Sequence, residues 1–275
     1  MPASALSLPE LLALFNLGYS DYLVALQLDE PTFAEHLACH DVDLDCSMVL
    51  ADPAPGAFAL VARRGATGWV AGVGTAPEQR RRGLGQRVLS AALQAAAQRG
   101  CAIVDLEVID ANHAAIALYR TLGFATVRDV LVWSLPATGQ PPPASRTAAV
   151  PEAQAWITAH RRDPDPWQRT PATAEAIRAH GGELRALLIE ADGEPTAAVV
   201  WREAPAQVTV LQVAATDETA ATQALLAAAR GQRAVRLTNV QADDPASLAL
   251  RGLGAHVVAR QHEMRIGLEA GADAG

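Results

Sequence analysis

The sequence predicts an α/β protein of the layered α+β kind, with two domains that each contain a mixed, twisted sheet flanked by helices. Three observations support this prediction. Apolar residues recur alternately at helical and at strand spacing along the chain. A proline-rich stretch separates two halves, and the second half repeats the element order of the first. The chain has 275 residues, 50% of them hydrophobic, so each half is long enough to bury its own core.

The first half contains the helix-start and helix-end residues expected of alternating helices and strands. Pro31 suits the first turn of a helix, and Gly100 and Gly123 each follow a helical period, where glycine commonly ends a helix. Alternating apolar runs mark the strands between them. The predicted helices are 9–17, 30–39, 84–99 and 112–122, and the predicted strands are 47–51, 57–63, 69–75, 102–109 and 124–135.

The stretch between the halves contains three consecutive prolines, Pro141 to Pro143. Such a run cannot lie inside a helix or a central strand, and it favours an extended spacer. We therefore expect a first domain at 1–136, a Pro-rich linker at 137–149 and a second domain at 150–275.

The second half repeats the pattern of the first. Leu106–Gly123 aligns without gaps with Leu237–Gly254, at a spacing of 131 residues. We interpret this as an internal duplication, with chance similarity between two alanine-rich segments as the alternative. The predicted helices are 152–161, 171–180, 217–230 and 245–252, and the predicted strands are 184–191, 196–203, 207–214, 233–240 and 256–266.

Composition excludes several classes of function. All 22 basic residues are arginine, so no P-loop lysine or Schiff-base lysine exists in this sequence. A net charge of −8 disfavours general binding to nucleic acid or to anionic membranes. Three cysteines cannot form a disulfide framework, and we expect a reduced, cytoplasmic protein. No apolar run reaches the ~18 residues of a membrane span.

A glycine-rich turn between a strand and a helix is the sharpest motif. It runs from Val73 through Arg80, Gly83 and Gly85. Successive backbone N–H groups at a helix start form an anion-binding nest, and glycine lets phosphate oxygens approach the backbone closely. Three consecutive arginines add positive charge there. The alternative is a solvated basic turn in which the glycines serve only the bend.

This turn resembles the pyrophosphate-binding signature Arg/Gln-x-x-Gly-x-Gly/Ala of the GNAT acyltransferase superfamily. Leu106–Phe124 is similar to the second motif of that family, especially in the ribosomal-protein N-terminal acetyltransferases. The resemblance implies a GNAT-like fold and acetyl-CoA as the acyl donor. It assigns the pantetheine arm to backbone groups of Val73, Gly74 and Thr75, the pyrophosphate to Arg80, Arg81, Arg82, Gly83, Leu84, Gly85 and Gln86, and the thioester side of pantetheine to Asn112.

Transfer of an acyl group to an amine requires a base and an acid. Glu107 lies in an apolar strand, where burial raises the pKa of a carboxyl group towards that of a working base. Alternatively, Glu107 is a solvent-exposed carboxylate at the end of the strand with no chemical role. Asp105, on the same face of the strand, is then the candidate base. Tyr119 shares a helical face with Asn112 and can donate a proton to a thiolate. Its alternative role is packing between helix and sheet.

Four histidine and cysteine residues lie close together in the sequence between positions 36 and 46. His36, Cys39, His40 and Cys46 could in principle supply four ligands to zinc. No Cys-x-x-Cys pair occurs, and a rigid tetrahedral geometry is demanding. We therefore expect no metal.

The second half lacks the site residues of the first. Thr238, Asp243 and Leu250 stand where the first half has Glu107, Asn112 and Tyr119, and Ala214–Glu218 replaces the arginine-rich turn. The sequence thus predicts a tandem GNAT protein with a degenerate C-terminal copy. The first copy is expected to acetylate an amine of a small molecule or peptide. Alternatives are an acetyl-CoA sensor or scaffold without catalysis and a longer acyl donor. Residues 1–140 alone are expected to retain acetyl-CoA binding.

Overall fold

The first half of the chain folds into alternating helices and strands, as predicted. The computed structural model describes residues 1–24, 26–51, 55–161, 163–204, 207–230 and 232–268. The elements of the first half are α1 (Leu8–Gly18), α2 (Glu30–Cys39), β1 (Met48–Ala51), β2 (Pro55–Arg64), β3 (Thr67–Thr75), α3 (Leu84–Gln98), β4 (Ile103–Ile109), α4 (His113–Thr121) and β5 (Ala125–Leu135).

The second half repeats this order after one additional short strand. Its elements are β6 (Arg146–Ala148), α5 (Val150–His160), α6 (Pro171–Ala179), β7 (Arg185–Ala191), β8 (Glu194–Glu203), β9 (Gln207–Ala215), α7 (Glu218–Ala229), β10 (Ala234–Val240), α8 (Pro245–Gly252) and β11 (His256–Gly267). The layered α/β class and the duplication are therefore confirmed. Strand β6 lies in the stretch that was predicted as a linker. It pairs antiparallel with β7, so this part of the stretch belongs to a sheet.

Short side chains begin most of the helices of the first half. The carboxylate of Asp29 accepts a hydrogen bond from the Thr32 N–H at 3.0 Å, and the Asn112 side chain accepts one from the Ala115 N–H at 3.2 Å. Each satisfies a backbone donor that the helix leaves unpaired. Helix α3 differs, since it begins at Gly83 without a capping side chain and without an acidic residue in its first turn.

The first compact unit has the strand order β1-β2-β3-β4-β11. Helices α1 and α2 pack on one face around Phe15, Phe33 and Phe58, and α3 and α4 pack on the other. Strands β3 and β4 are parallel, but they pair only over Thr67–Trp69 and Ile103–Asp105. Beyond this point their carboxyl ends separate, which opens a crevice of the kind that holds ligands in α/β sheets.

The last strand of each half belongs largely to the unit formed by the other half. Met264 of β11 is fully buried in the core under α3, and the Leu268 N–H donates to the Ala102 carbonyl at 2.8 Å. Leu135 of β5 pairs with Val235 of β10 and is buried with Leu237. The first unit comprises Met1–Val127 and the chain from His262 onward, and the second comprises Arg128–Gln261.

These limits differ from the predicted domains 1–136 and 150–275 for a physical reason. An apolar alternating pattern shows that a strand is buried, but it does not determine which sheet the strand joins. A fragment of residues 1–140 would lack the β11 portion of the first unit, including buried Met264. The expectation that this fragment retains ligand binding therefore loses its structural basis.

The second unit has the strand order β5-β10-β9-β8-β7-β6. The predicted sheet residues Val199–Trp201 and Val208–Leu211 lie in β8 and β9. Alanines of α7 and aliphatic residues of β8 to β10 form its larger core. In neither unit is any described helix both long and apolar enough to span a bilayer.

Candidate active site

The open edge of β3 carries a backbone donor at the predicted pantetheine strand. The Val73 N–H donates a hydrogen bond to the Tyr19 hydroxyl at 3.2 Å. Tyr19 follows directly after α1, so the C-terminal end of this helix lies against the end of β3. Val73 and Thr75 are partly exposed, and Gly74 is buried.

The glycines of β3 are explained by packing against α1 and β2. A Cβ at Gly74 would lie 2.4 Å from the Phe58 ring and 3.3 Å from the Cα of Gly18, and one at Gly72 would lie 3.2 Å from the Tyr19 hydroxyl. The close approach that these glycines permit is therefore made by protein atoms of α1 and β2.

The turn before α3 has the alternating backbone of an anion nest. Arg81 has φ +60° and Gly83 has φ +74°, so N–H groups on both sides of these residues turn towards a common concavity. A Cβ at Gly83 would find open space, because no atom lies within 4 Å of it. At Gly85 a Cβ would lie 3.5 Å from both Leu118 and Thr75, which is ordinary contact. Gly83 is therefore required by its backbone conformation, whereas packing does not require Gly85.

The three arginines of the turn have different environments. Arg81 and Arg82 are exposed beside the nest, as is Gln86, and Leu84 is half-buried. The Arg80 guanidinium instead donates to both Asp21 carboxylate oxygens at 2.5 and 2.6 Å and to the Thr75 carbonyl at 3.1 Å. Arg80 thus joins the α1–α2 segment to the end of β3, and its side chain is engaged away from the nest.

Asn112 and the three tyrosines lie near the point where β3 and β4 separate, with Tyr119 in the core and Tyr19 and Tyr22 within electrostatic reach of it. The Asn112 side chain lies close enough to Tyr22 to oppose the rise that burial causes in the pKa of the Tyr22 phenol, and the Tyr19 and Tyr22 rings lie 5.0 Å apart, edge to face. Tyr119 is buried in α4, with its ring 5.9 Å from Phe124. Burial raises the pKa of Tyr119, and the phenols of Tyr19 and Tyr22 raise it further. This phenol therefore keeps its proton throughout the neutral pH range.

Glu107 lies on the opposite face of β4 from the core of α3 and α4. Its Oε2 accepts a hydrogen bond from the indole N–H of Trp69 at 2.8 Å. The Trp69 ring lies 5.3 Å from His40 and 6.5 Å from His36, both in or beside α2. Burial lowers the pKa of His40 to about 3. The wall beside Glu107 is therefore aromatic and uncharged at neutral pH.

Asp105, the alternative base, is held in an ion pair. Its two carboxylate oxygens accept hydrogen bonds from the Arg265 guanidinium at 2.6 and 2.9 Å. Such a bidentate pair stabilises the carboxylate and makes it a weaker base. Glu107 is the better candidate, because its carboxylate accepts from a neutral indole.

The four residues weighed as zinc ligands are divided between the two faces of the sheet. Cys46 packs in the core under α3, with its Sγ 3.9 Å from the Ala95 carbonyl, whereas His36 and His40 lie on the α2 side. Within the described ranges, no three His, Cys, Asp or Glu residues are grouped as a metal site would require.

The corresponding turn of the second unit differs at the helix start. The Asp217 side chain accepts a hydrogen bond from the Ala220 N–H at 2.9 Å, and Glu218 lies in the first turn of α7. At the start of α7, two carboxylates therefore take the positions that correspond to the uncapped N–H groups at the start of α3. This arrangement would repel a pyrophosphate.

Sequence reasoning missed Tyr19, Asp21, Tyr22 and Trp69 as residues that line the site. No motif marks them, and each reaches its partner only through the fold. One signal was present in the composition, because the sequence contains only three tyrosines and two of them act electrostatically on the third.

Comparisons with known proteins agree with this geometry. Residues 11–124 match the acetyltransferase (GNAT) family. None of the curated protein sequences matches the chain.

A GCN5-related N-acetyltransferase from Sphaerobacter thermophilus is 18% identical with a TM-score of 0.71, and the match covers 97% of this chain and 94% of that one. A tandem GNAT protein from the clavulanic acid biosynthesis pathway is 15% identical with a TM-score of 0.64, covering 97% and 95%. A GCN5-related N-acetyltransferase from Kribbella flavida is 20% identical with a TM-score of 0.58, covering 96% and 70%. These likenesses establish a shared fold over nearly the whole chain.

Proposed function

We propose that this chain, which belongs to the GNAT acyltransferases through its residues 11–124, transfers an acetyl group from acetyl-CoA to a primary amine in its first unit. Membership of the family makes it an acyl-CoA-dependent N-acyltransferase in general terms. The acetyl donor and the amine of a small molecule or peptide as the acceptor are the parts that we propose.

The observation that carries the proposal is the uncapped start of α3. An anion nest with φ +60° at Arg81 and +74° at Gly83 opens into free space, and no side chain caps the helix. These groups fit a pyrophosphate, whereas the carboxylates at the start of α7 do not. We therefore expect one donor site per chain, formed by Val73, Gly74 and Thr75, by Arg81 to Gln86 and by Asn112.

The roles of the chain's own residues follow from their positions. Acetyl-CoA, when bound, supplies the activated acyl group and a thiolate leaving group. Glu107 takes a proton from the acceptor ammonium so that the amine can attack. Tyr119 keeps its proton because burial raises the pKa of its phenol, and it donates this proton in a hydrogen bond that stabilises the departing thiolate. The N–H of Val73, a fixed donor at the strand edge, stabilises charge that develops on an acyl oxygen.

A calorimetric titration of the full chain with acetyl-CoA tests the donor assignment. We expect one site per chain, and two equivalent sites would contradict the proposal. An assay of free thiol release over a panel of amines then separates an enzyme from a sensor. Octanoyl-CoA serves as the comparison donor, and faster turnover with it would overturn the assignment of acetyl-CoA.

A further inference from the structure

The second unit contains a pocket at the place that corresponds to the donor crevice of the first. Its walls come from the ends of β9 and β10 and from the segment after α5, and it includes Arg161, Arg169 and Asn239. Strands β9 and β10 pair over Gln207–Val210 and Ala234–Leu237 and then separate, as β3 and β4 do. The cavity volume is about 80 Å³, which suits a ligand of only a few non-hydrogen atoms.

One buried and one half-buried guanidinium group share a carboxylate in this pocket. Arg169 is 2% exposed and Arg161 is partly exposed. The Asp165 carboxylate contacts Arg161 and lies 3.8 Å from the Nε of Arg169. Arg128 and Asp244 act on both groups as well, so three cationic side chains lie near two carboxylates and the centre of the pocket is cationic. Burial lowers the pKa of Arg161 and of Arg169. A further anion would stabilise both charges.

Donor atoms of these arginines remain available after the protein contacts are counted. Arg161 donates to the Val213 carbonyl and Arg169 to the Asn239 carbonyl, each at 3.3 Å. Among the described residues, no hydrogen-bond acceptor is placed for Nε and Nη2 of Arg169 or for Nε of Arg161. Asp165 Oδ1 also lacks a hydrogen bond among the described residues and lies 3.8 Å from Nε of Arg169, so it is the nearest acceptor for that atom. Buried donors in folded proteins are nearly always satisfied, so Nη2 of Arg169 and Nε of Arg161 indicate a missing acceptor group.

A buried acceptor lies beside these donors. Asn239 is 4% exposed and has φ +54°, and its amide nitrogen donates to Gln168 at 3.1 Å. Its Oδ1 receives no hydrogen bond from the described residues. The pocket therefore offers unpaired donors and an unpaired acceptor side by side, and a complementary ligand must carry both an anionic acceptor and a donor.

Acidic residues at the mouth limit the charge of the ligand. Asp163 and Asp243 are exposed there, and Asp244 caps α8. These carboxylates would repel a dianionic phosphate about twice as strongly as a monoanionic carboxylate, and they would attract a neighbouring ammonium group.

We propose that the pocket of the second unit binds a small amino or hydroxy acid, whose carboxylate pairs with Arg169 and Arg161 and whose adjacent donor meets Asn239. Planar guanidinium groups match a carboxylate with two parallel hydrogen bonds. The degenerate copy thus replaces a pyrophosphate site with a site for a different ligand. This inference does not depend on the activity proposed for the first unit.

Calorimetric titrations of the full chain test this site. The probes are the standard amino acids taken singly and lactate, with acetate and inorganic phosphate as comparisons. We expect at least one amino acid or lactate to bind once per chain with a Kd of about 1 mM or tighter, at least about tenfold more tightly than acetate or phosphate. No binding by any amino acid or lactate up to about 10 mM, or tighter binding of phosphate, would overturn the proposal.

Arginine variants locate the binding. Arg169→Gln and Arg161→Gln should each weaken it at least about tenfold, since each loses a charge-assisted hydrogen bond. Arg178→Gln is the matched control, because Arg178 is an exposed arginine of α6. Circular dichroism melting curves establish which variants are folded, so a failure of Arg169→Gln to fold leaves Arg161→Gln to decide. Undiminished binding in a folded pocket variant would place the ligand elsewhere and overturn the proposal.

Discussion

The Tyr19 hydroxyl accepts the hydrogen bond of the Val73 N–H, the donor that the open edge of β3 presents to the crevice. The neighbouring Asp21 accepts hydrogen bonds from Arg80, and Tyr22 lies beside Asn112. A single segment after α1 therefore contacts three residues that the family resemblance assigns to the donor. Binding of acyl-CoA at Val73 has to displace the Tyr19 hydroxyl, so this contact and the ligand compete.

Tyr19→Phe should tighten acetyl-CoA binding. The variant removes the competing acceptor and leaves the Val73 N–H without that partner in the free protein. A neutral hydrogen bond contributes about 1 kcal/mol, so we expect a Kd about fivefold lower by calorimetry. Ser20→Ala is the control, because the exposed Ser20 hydroxyl lies in the same segment and, among the described residues, bonds only to the Leu17 carbonyl. Weaker binding in Tyr19→Phe would show that the hydroxyl supports the ligand instead of competing with it.

Gly83→Asp should abolish acetyl-CoA binding because it places a carboxylate in the nest. Gly83→Asn is the matched control, since asparagine tolerates the left-handed conformation as aspartate does but carries no charge. We expect the Kd of the Asp variant to exceed that of the Asn variant by at least about tenfold. Equal affinities of the two variants would mean that no phosphate lies in this turn.

Glu107→Gln should lower kcat by roughly 10²–10⁴-fold while it leaves acetyl-CoA affinity unchanged. Glutamine keeps an oxygen that can accept from Trp69, so the local fold is preserved. Asp105→Asn provides the comparison, because its carboxylate is paired with Arg265 and its loss should affect stability more than turnover. A large loss of kcat in Asp105→Asn together with a near-normal Glu107→Gln would assign the base to Asp105.

Tyr119→Phe should impair kcat more than it impairs donor binding. The phenol keeps its proton above its ordinary pKa of about 10, because burial and the two neighbouring phenols oppose its ionisation. The wild-type rate should therefore not decline through loss of this proton below pH 10. Measurement of kcat against pH for both proteins checks this, and a wild-type rate in Tyr119→Phe would remove the acid role.

His40 makes the stability of the first unit sensitive to acid. Its pKa is about 3 when folded, against about 6.5 when unfolded. Between these values the unfolded chain binds a proton that the folded chain does not, so the free energy of unfolding falls as pH falls from about 6.5 towards 3. The slope contributed is at most ~1.4 kcal/mol per pH unit. His40→Phe should flatten this decline in urea unfolding series, whereas exposed His113→Gln should not. An unchanged slope in His40→Phe would contradict this assignment.

Local patterns in the sequence determined the elements and the main motif. The helix over Glu30–Cys39 was predicted at its observed limits, because Pro31 favours a first turn and the apolar period is clear. The strand, turn and helix around Gly83 were likewise predicted, since a positive φ at a helix start calls for glycine. The exception was Arg146–Ala148, a short strand whose pairing with β7 leaves no local signal.

Only the tertiary structure decided which partners those elements take. The sequence placed Glu107 in a buried strand, but the fold brings Trp69 to its carboxylate and Arg265, 160 residues away, to Asp105. It also exchanges β5 and β11 between the units and fills the second crevice with Arg161 and Arg169. Periodicity and turn chemistry act over a few neighbouring residues and are readable in order along the chain. Strand partners, ion pairs and the lining of a crevice arise from contacts distant in sequence, which no local pattern encodes.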